Sequence, residues 1–289
     1  MNNFSTLPKD LLSKLSLELG LLDIFELSNI NKRFNNLIID DIFWMNKFYF
    51  DYGHYPKTLK SWNEFYKFVT ITEPNDLLWI GVNKNILSYV VVALKLGADI
   101  ENISWGFTVL AKASLKGHLE IVKYLVKHGT YVRAYNDEAF RYASKYGHLE
   151  VVKYLVEQGA DVSADSEYAL RFASEHGHLE VVKYLVKQGA DIHAKNDLSL
   201  KWASSNGHLE VVKYLVGKGA NVRASRNKAL IDASEKGHLD VVKYLVGKGA
   251  DVSAGNDSAL YSSRYNGHSK VVKYLKSVYH KRKLEIPDF

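Results

Sequence analysis

Cysteine is absent from all 289 residues, and that absence removes several chemistries at once. No disulfide, thiolate nucleophile or Cys-ligated zinc site can form. Long apolar runs are missing too. The longest nearly apolar stretch, residues 86–94, includes Ser88 and Tyr89 and falls far short of the ~20 residues that cross a bilayer. Residues 1–10 lack a basic start followed by an apolar run, so no secretory signal is read. The Asn-x-Ser/Thr strings at Asn3, Asn102 and Asn256 are therefore read as chance. Charge of one sign is not abundant: the formal net charge is +6. Residues 1–72 balance eight basic against eight acidic side chains, so the whole excess lies beyond them. At the C-terminal end, Lys276, Lys281, Arg282 and Lys283 against Glu285 and Asp288 leave +2. Such a balance permits nucleic-acid contact without arguing for it.

What the chain does have is a period. Gly-His stands at 117, 147, 177, 207, 237 and 267, each 30 residues from the next, and the flanking residues repeat with it. A strict period of this length marks a stacked array of one supersecondary unit, each contacting mainly its neighbours. Within one unit, Ala169, Leu170 and Ala173 share a face of a short first helix over residues 167–174. Gly177 breaks it. Leu179, Val182, Leu185 and Val186 then form the apolar stripe of a second helix over residues 179–187, which Gly189 stops. Helices this short do not persist alone in water, so stability must come from stacking. Ala173 and Ser174 are small enough to let neighbouring pairs approach closely.

These motifs resemble ankyrin repeats, a 33-residue unit of a β-turn and two helices. The resemblance rests on Gly-His-Leu-Glu-Val-Val and Gly-Ala-Asp-Val, and on a partial family opening in Gly106, Phe107, Thr108, Val109 and Leu110. It implies an all-α ankyrin-type α-solenoid over residues 73–280. A degenerate first unit (73–104) and a last one (255–280) are read as caps around five regular units. The first cap has Asn85 where the others have glycine; in the last, Ser269, Lys270 and Lys276 replace leucine, an acid and valine. The later units are three residues shorter than the family pattern, so a shortened loop is expected in place of the family's β-hairpin finger.

Several recurring residues invite other readings. Six Gly-His histidines suggest a metal, but metal ligands must lie within about 2 Å of one ion while stacked helices sit about 8–10 Å apart. A hydrogen bond from imidazole to neighbouring loop backbone is expected instead. Lysines at 123, 153, 183, 213 and 243 each follow an acid by three residues (Glu120, Glu150, Glu180, Glu210, Asp240), so local pairing is expected rather than a phosphate track. The repeated tyrosines, Tyr124 to Tyr274, are expected to lay their rings over apolar side chains. Gly217-Lys218-Gly219 follows a helix and has no Ser/Thr after the lysine, so the phosphate-loop fingerprint fails. No cofactor, metal or catalytic set is read.

The positions that vary carry more information. One first-helix column reads Tyr142, Phe172, Trp202, Asp232, Ser262, and the next variable pair of columns ends in Tyr146, His176, Asn206 and Lys236. Two readings of the aromatics stand, as filling between stacked helices or as exposed hot spots. The resemblance implies that this end of the first helix lines a concave face. Tyr142, Tyr146, Phe172, His176, Trp202, Asn206, Asp232 and Lys236 are then the target-binding candidates.

Residues 1–50 do not repeat. Leu7-Pro8, Leu11, Ile30, Asn31-Lys32-Arg33-Phe34 and Phe43-Trp44 resemble an F-box, whose family docks on the Skp-type adaptor of cullin–RING ubiquitin ligases. Carried over, Leu7, Pro8, Leu11, Ile30, Phe34 and Trp44 would make or support that contact. Residues 51–72 are read as a connecting helical segment and 281–289 as a basic tail. Near-identical repeats rich in Tyr, Lys and Asn, behind an F-box-like head, resemble the ankyrin repeat proteins of giant DNA viruses. The expectation is a monomeric, non-catalytic chain in the cytoplasm or nucleocytoplasm, in the host cell if the source is viral. It would recruit a target protein to a ligase. A plain scaffold whose N-terminal helices are only a cap is the rival, and weak nucleic-acid binding through the tail a third reading.

Overall fold

The computed structural model describes residues 72–282, the side chains of Asp165 and Ser166 excepted. The F-box-like residues Leu7, Pro8, Leu11, Ile30, Phe34 and Trp44, the connecting segment at 51–71 and the tail end at 283–289 lie outside the described residues. Among the described residues, no helix is long and apolar enough to cross a membrane. They divide between two compact units, residues 72–109 and 110–282.

The first of these holds α1 (Pro74–Lys84), α2 (Leu87–Lys95) and a two-stranded hairpin, β1 (Ile103–Ser104) with β2 (Phe107–Thr108). Pro74 opens α1, where its missing N–H costs nothing. Asn85 ends it in the left-handed conformation (φ 58°) at the position where later units carry glycine, a substitution asparagine tolerates. Antiparallel pairing sets Ile103 opposite Thr108 and Ser104 opposite Phe107. The turn between them, Trp105-Gly106, has positive φ at both residues (54° and 76°), as a two-residue hairpin loop requires. This is the only hairpin finger among the described residues, and it sits where the Gly-Phe-Thr opening is kept.

The other unit runs α3 (Val109–Leu115), α4 (Leu119–Lys127), α5 (Ala134–Lys145), α6 (Leu149–Glu157), α7 (Ala164–Glu175) and α8 (Leu179–Lys187). It continues through α9 (Ala194–Ser205), α10 (Leu209–Gly217), α11 (Ala224–Glu235), α12 (Leu239–Gly247), α13 (Ala254–Tyr265) and α14 (Ser269–Arg282). First helices pack on first helices (α5 on α7, α7 on α9, α9 on α11, α11 on α13), and each packs on the second helix of its own pair. Second helices form the adjoining row. This is an all-α solenoid of stacked helical hairpins. Its core is the residue set the period selects: Ala169, Leu170, Ala173, Val182 and Leu185 are fully buried, as are their counterparts in α9 to α12 apart from a trace of exposure at Ser199, Leu200 and Ala229. Burying one such leucine contributes about 1.5–3 kcal/mol. Ser144, Ser174, Ser204 and Ser234 are also fully buried, which is where neighbouring hairpins come closest.

The loops that lack the finger have a shape of their own. Each first helix from α5 on, α7 with only its third residue on view, opens with left-handed residues. The runs are Tyr135-Asn136-Asp137, Lys195-Asn196-Asp197, Ser225-Arg226-Asn227 and Gly255-Asn256-Asp257, and α7 has Glu167 (φ 63°). The missing three residues of the family pattern leave the chain this tight left-handed turn in place of a hairpin. Left-handed backbone costs roughly 1–2 kcal/mol per ordinary residue, less for Asn and Asp. The third residue offsets part of that cost by reaching into the next unit. Asp137 Oδ1 accepts the Asp161 N–H at 2.9 Å, Asp197 Oδ1 that of Asn221 at 3.0 Å, and Asn227 Oδ1 that of Asp251 at 2.8 Å. In the 72–109 unit, Asn75 Oδ1 accepts the Asp99 N–H at 2.9 Å over the same separation of 24 residues. In the last described unit, Tyr279 on α14 instead sets its hydroxyl between the Asp257 carboxylate and the Val252 carbonyl. Burial first, then the hydrogen bond to Asp257, push that phenol well above its ordinary range.

Candidate functional site

Five of the six repeated histidines bond to a neighbouring unit's backbone, while His118 Nε2 is buried without a hydrogen-bond partner. His148 Nε2 donates to the Leu115 carbonyl at 2.8 Å, His178 to Lys145 at 3.0 Å, His208 to Glu175 at 2.8 Å, His238 to Ser205 at 3.0 Å and His268 to Glu235 at 2.8 Å. Each ring closes off an orphan carbonyl at the end of the preceding first helix. The ring lies flat over the preceding glycine: a Cβ on Gly177 would stand 2.5 Å from the His208 ring. Glycine is needed there twice over, because φ is also +76°. Burial holds His178 below the ordinary imidazole range, with smaller contributions from neighbouring histidines. A ring kept neutral by burial is the form that accepts this environment. Among the described residues, no group of three or more His, Asp and Glu is arranged to hold a metal.

On the second helices, Glu120–Lys123, Glu150–Lys153, Glu180–Lys183 and Glu210–Lys213 form ion pairs at 2.7–3.0 Å. Asp240, one methylene shorter, makes no such pair with Lys243. These pairs are exposed and contribute little stability. Their consequence is electrical: the outer row offers no continuous positive track.

The chemically distinctive surface is the face of the first helices opposite the buried alanines. On α7, Tyr168, Arg171, Phe172, Glu175 and His176 recur at i, i+3, i+4, i+7 and i+8, one helical face. Phe172 stacks on Tyr168 at 4.0 Å between centroids and meets the Trp202 ring of α9 edge-on at 5.1 Å. Cations lie between the rings. The Arg141 guanidinium sits 4.7 Å above Tyr168, Arg171 lies 5.6 Å from Trp202, and Lys145 Nζ is 5.0 Å above Phe172. Tyr142, Phe172 and Trp202 are half-buried.

The other sequence candidates fall differently. Asp232 is buried at 8% exposure and ion-paired, 2.7 Å from Lys228 and 4.0 Å from Lys201. It ends the aromatic column with a neutralised carboxylate. His176 donates from Nδ1 to its own helix at the Phe172 carbonyl (2.9 Å), and Asn206 Nδ2 does the same to Trp202 (2.9 Å). Both cap a helix end as well as standing exposed. Tyr146 is exposed with Lys145 5.8 Å from its ring, and Lys236 is exposed and paired with Glu235 at 3.7 Å. Sequence reasoning passed over Tyr168, Arg141, Arg171 and Lys201. The signal was present one helical turn before the aromatic column, where residues at 138, 168, 198 and 228 vary as freely as the column itself.

The family model for Ankyrin repeats (3 copies) matches residues 78–166, 134–196, 163–226 and 200–283. The chain belongs to the ankyrin repeat family. No curated protein matches it. Repeats of this family support a role in protein–protein interaction.

Proposed function

We propose that the first-helix face from α5 to α11 is the surface on which this chain holds a partner protein, and that the chain serves as a recruiting subunit. The observation that carries the first half is the interleaved column Arg141, Tyr168, Phe172 and Trp202, with Arg171 buried against it. Aromatic and arginine side chains held rigid by mutual packing lose little freedom on binding and are the residues that dominate interface energetics. Tyr142, Tyr146, His176, Asn206 and Lys236 flank the column, and Asp232 closes it. Affinity purification with mass spectrometry, comparing the full chain with Tyr168→Ala plus Trp202→Ala, tests this. Loss of specific partners at unchanged helicity supports the surface; an identical partner list contradicts it.

The second half rests on the sequence of the head. Leu7, Pro8, Leu11, Ile30, Phe34 and Trp44 match the F-box pattern, which supports docking to a Skp-type adaptor and delivery of the bound target to a ubiquitin ligase. Recombinant Skp adaptor should be retained by the full chain and lost after Leu7→Asp plus Phe34→Asp. Undiminished retention would leave the scaffold reading, in which deleting residues 1–50 lowers stability and changes no partner.

A further inference from the structure

The last hairpin departs from the 30-residue template in one electrical direction. Arg264 stands where Ser144, Ser174, Ser204 and Ser234 are fully buried, Lys270 where the outer row has its acid, and Lys276 where it has valine. Residues 258–282 contain six of the chain's 38 Lys and Arg residues and no Asp or Glu, which leaves 32 of each sign elsewhere. The whole net charge of +6 therefore resides in this one hairpin. Arg264, Lys273, Lys276 and His280 line a cleft of about 520 Å³ together with Gly267 and Val272. Arg264, Lys273 and Lys276 have no ion-pair partner among the described residues, whereas lysines equivalent to Lys273 are neutralised by glutamates in four earlier units. The cleft also has an apolar floor. Val122, Val152, Val182, Val212 and Val242 are fully buried, but Val272 is half-exposed. Gly267 keeps the positive φ of the earlier glycines and has nothing within 4 Å of its would-be Cβ, where they carry an imidazole.

We propose that this end face is a second docking site, separate from the first-helix face, and that its occupant is an acidic segment of a partner protein. Charge complementarity fixes the sign of the ligand. The vacant histidine seat and the half-exposed valine fit a folded or helical peptide layer better than a phosphodiester backbone. A nucleic acid would need cations in a continuous track, and the paired Glu–Lys row denies it one. A cap built only for solubility needs charge but no preference of sign and no cleft.

The test uses the full chain and a fluorescent glutamate peptide of about ten residues, with a thymidine oligonucleotide of similar charge as a second probe. Arg264→Ser plus Lys276→Gln should weaken peptide binding by about tenfold or more. Lys153→Gln plus Lys213→Gln, which removes the same charge from the outer row, should change it by less than about twofold. Circular dichroism confirms that both variants remain folded. Equal loss in both variants would reduce the effect to net charge and overturn the proposal. So would tighter binding of the oligonucleotide than of the peptide, or self-association of the chain that the end-face variant abolishes.

Discussion

Interior hairpins and the terminal hairpin are written on one template, yet they solve opposite problems. An interior unit must be buried on both sides, so it places Ser234 and Val242 where a neighbour presses and fills the seat of Gly237 with the next histidine. In the last described unit, Arg264, a half-exposed Val272 and open space at Gly267 take the same three positions. The contrast shows that stacking is decided at few sites, all on the surface between neighbours, while the buried faces within a hairpin hardly change.

Exchanging the decisive residues gives the largest expected effect. Ser234→Arg forces an unpartnered guanidinium into a fully closed contact and should cost about 4 kcal/mol or more, enough to part the stack. The reverse exchange, Arg264→Ser, should alter stability by no more than about 0.5 kcal/mol. Denaturant titration of both variants measures the difference. Next comes the glycine pair. Gly177→Ala suffers left-handed strain and a clash with the His208 ring, roughly 2–4 kcal/mol together. Gly267→Ala, at φ +75° with open space around it, should show the strain alone, about 1–2 kcal/mol.

Acid should sharpen the contrast at intermediate size. The folded pKa of His178 lies below its unfolded value, so the folded array favours the neutral ring. Stability from such a group is complete above the unfolded value near 6.5. It declines as pH falls below that value, because the unfolded chain then binds more protons. Thermal melts between about pH 7 and pH 5 should show a falling Tm, and His178→Gln should flatten that dependence. The smallest effect concerns Glu167. Its Oε2 is buried without a hydrogen-bond partner, and burial raises its pKa. Asn at this position, as at Asn227, tolerates left-handed backbone better, so Glu167→Asn should stabilise by about 0.5–1 kcal/mol.

Much of this was legible in the sequence because the period constrains so strongly. The second helix is found at Leu179–Lys187, the span its apolar stripe and two glycines delimit. His148, His178, His208, His238 and His268 bond to a neighbour's backbone because, at a strict 30-residue spacing, little else lies within reach. Two features escaped. The ladder through Asp137, Asp197 and Asn227 depends on a side chain meeting a backbone N–H 24 residues away, a distance set by the path of a loop whose left-handed turn no local propensity announces. The burial of Asp232 depends on Lys201 and Lys228 converging from two helices, and a column read alone cannot show convergence. Aromatic exposure was similarly undecidable from one column, since Phe172 stacks on Tyr168 one turn earlier on its own helix and Tyr168 in turn lies under Arg141 of the neighbouring one.

Native-state hydrogen exchange on His208→Ala tests most directly whether the array is held by contacts between neighbours. The account predicts that amide protection falls chiefly in α7 to α10, where the lost bond to Glu175 joined two hairpins, and persists in α4 and α12. Equal loss of protection across every helix from α4 to α14 would contradict it.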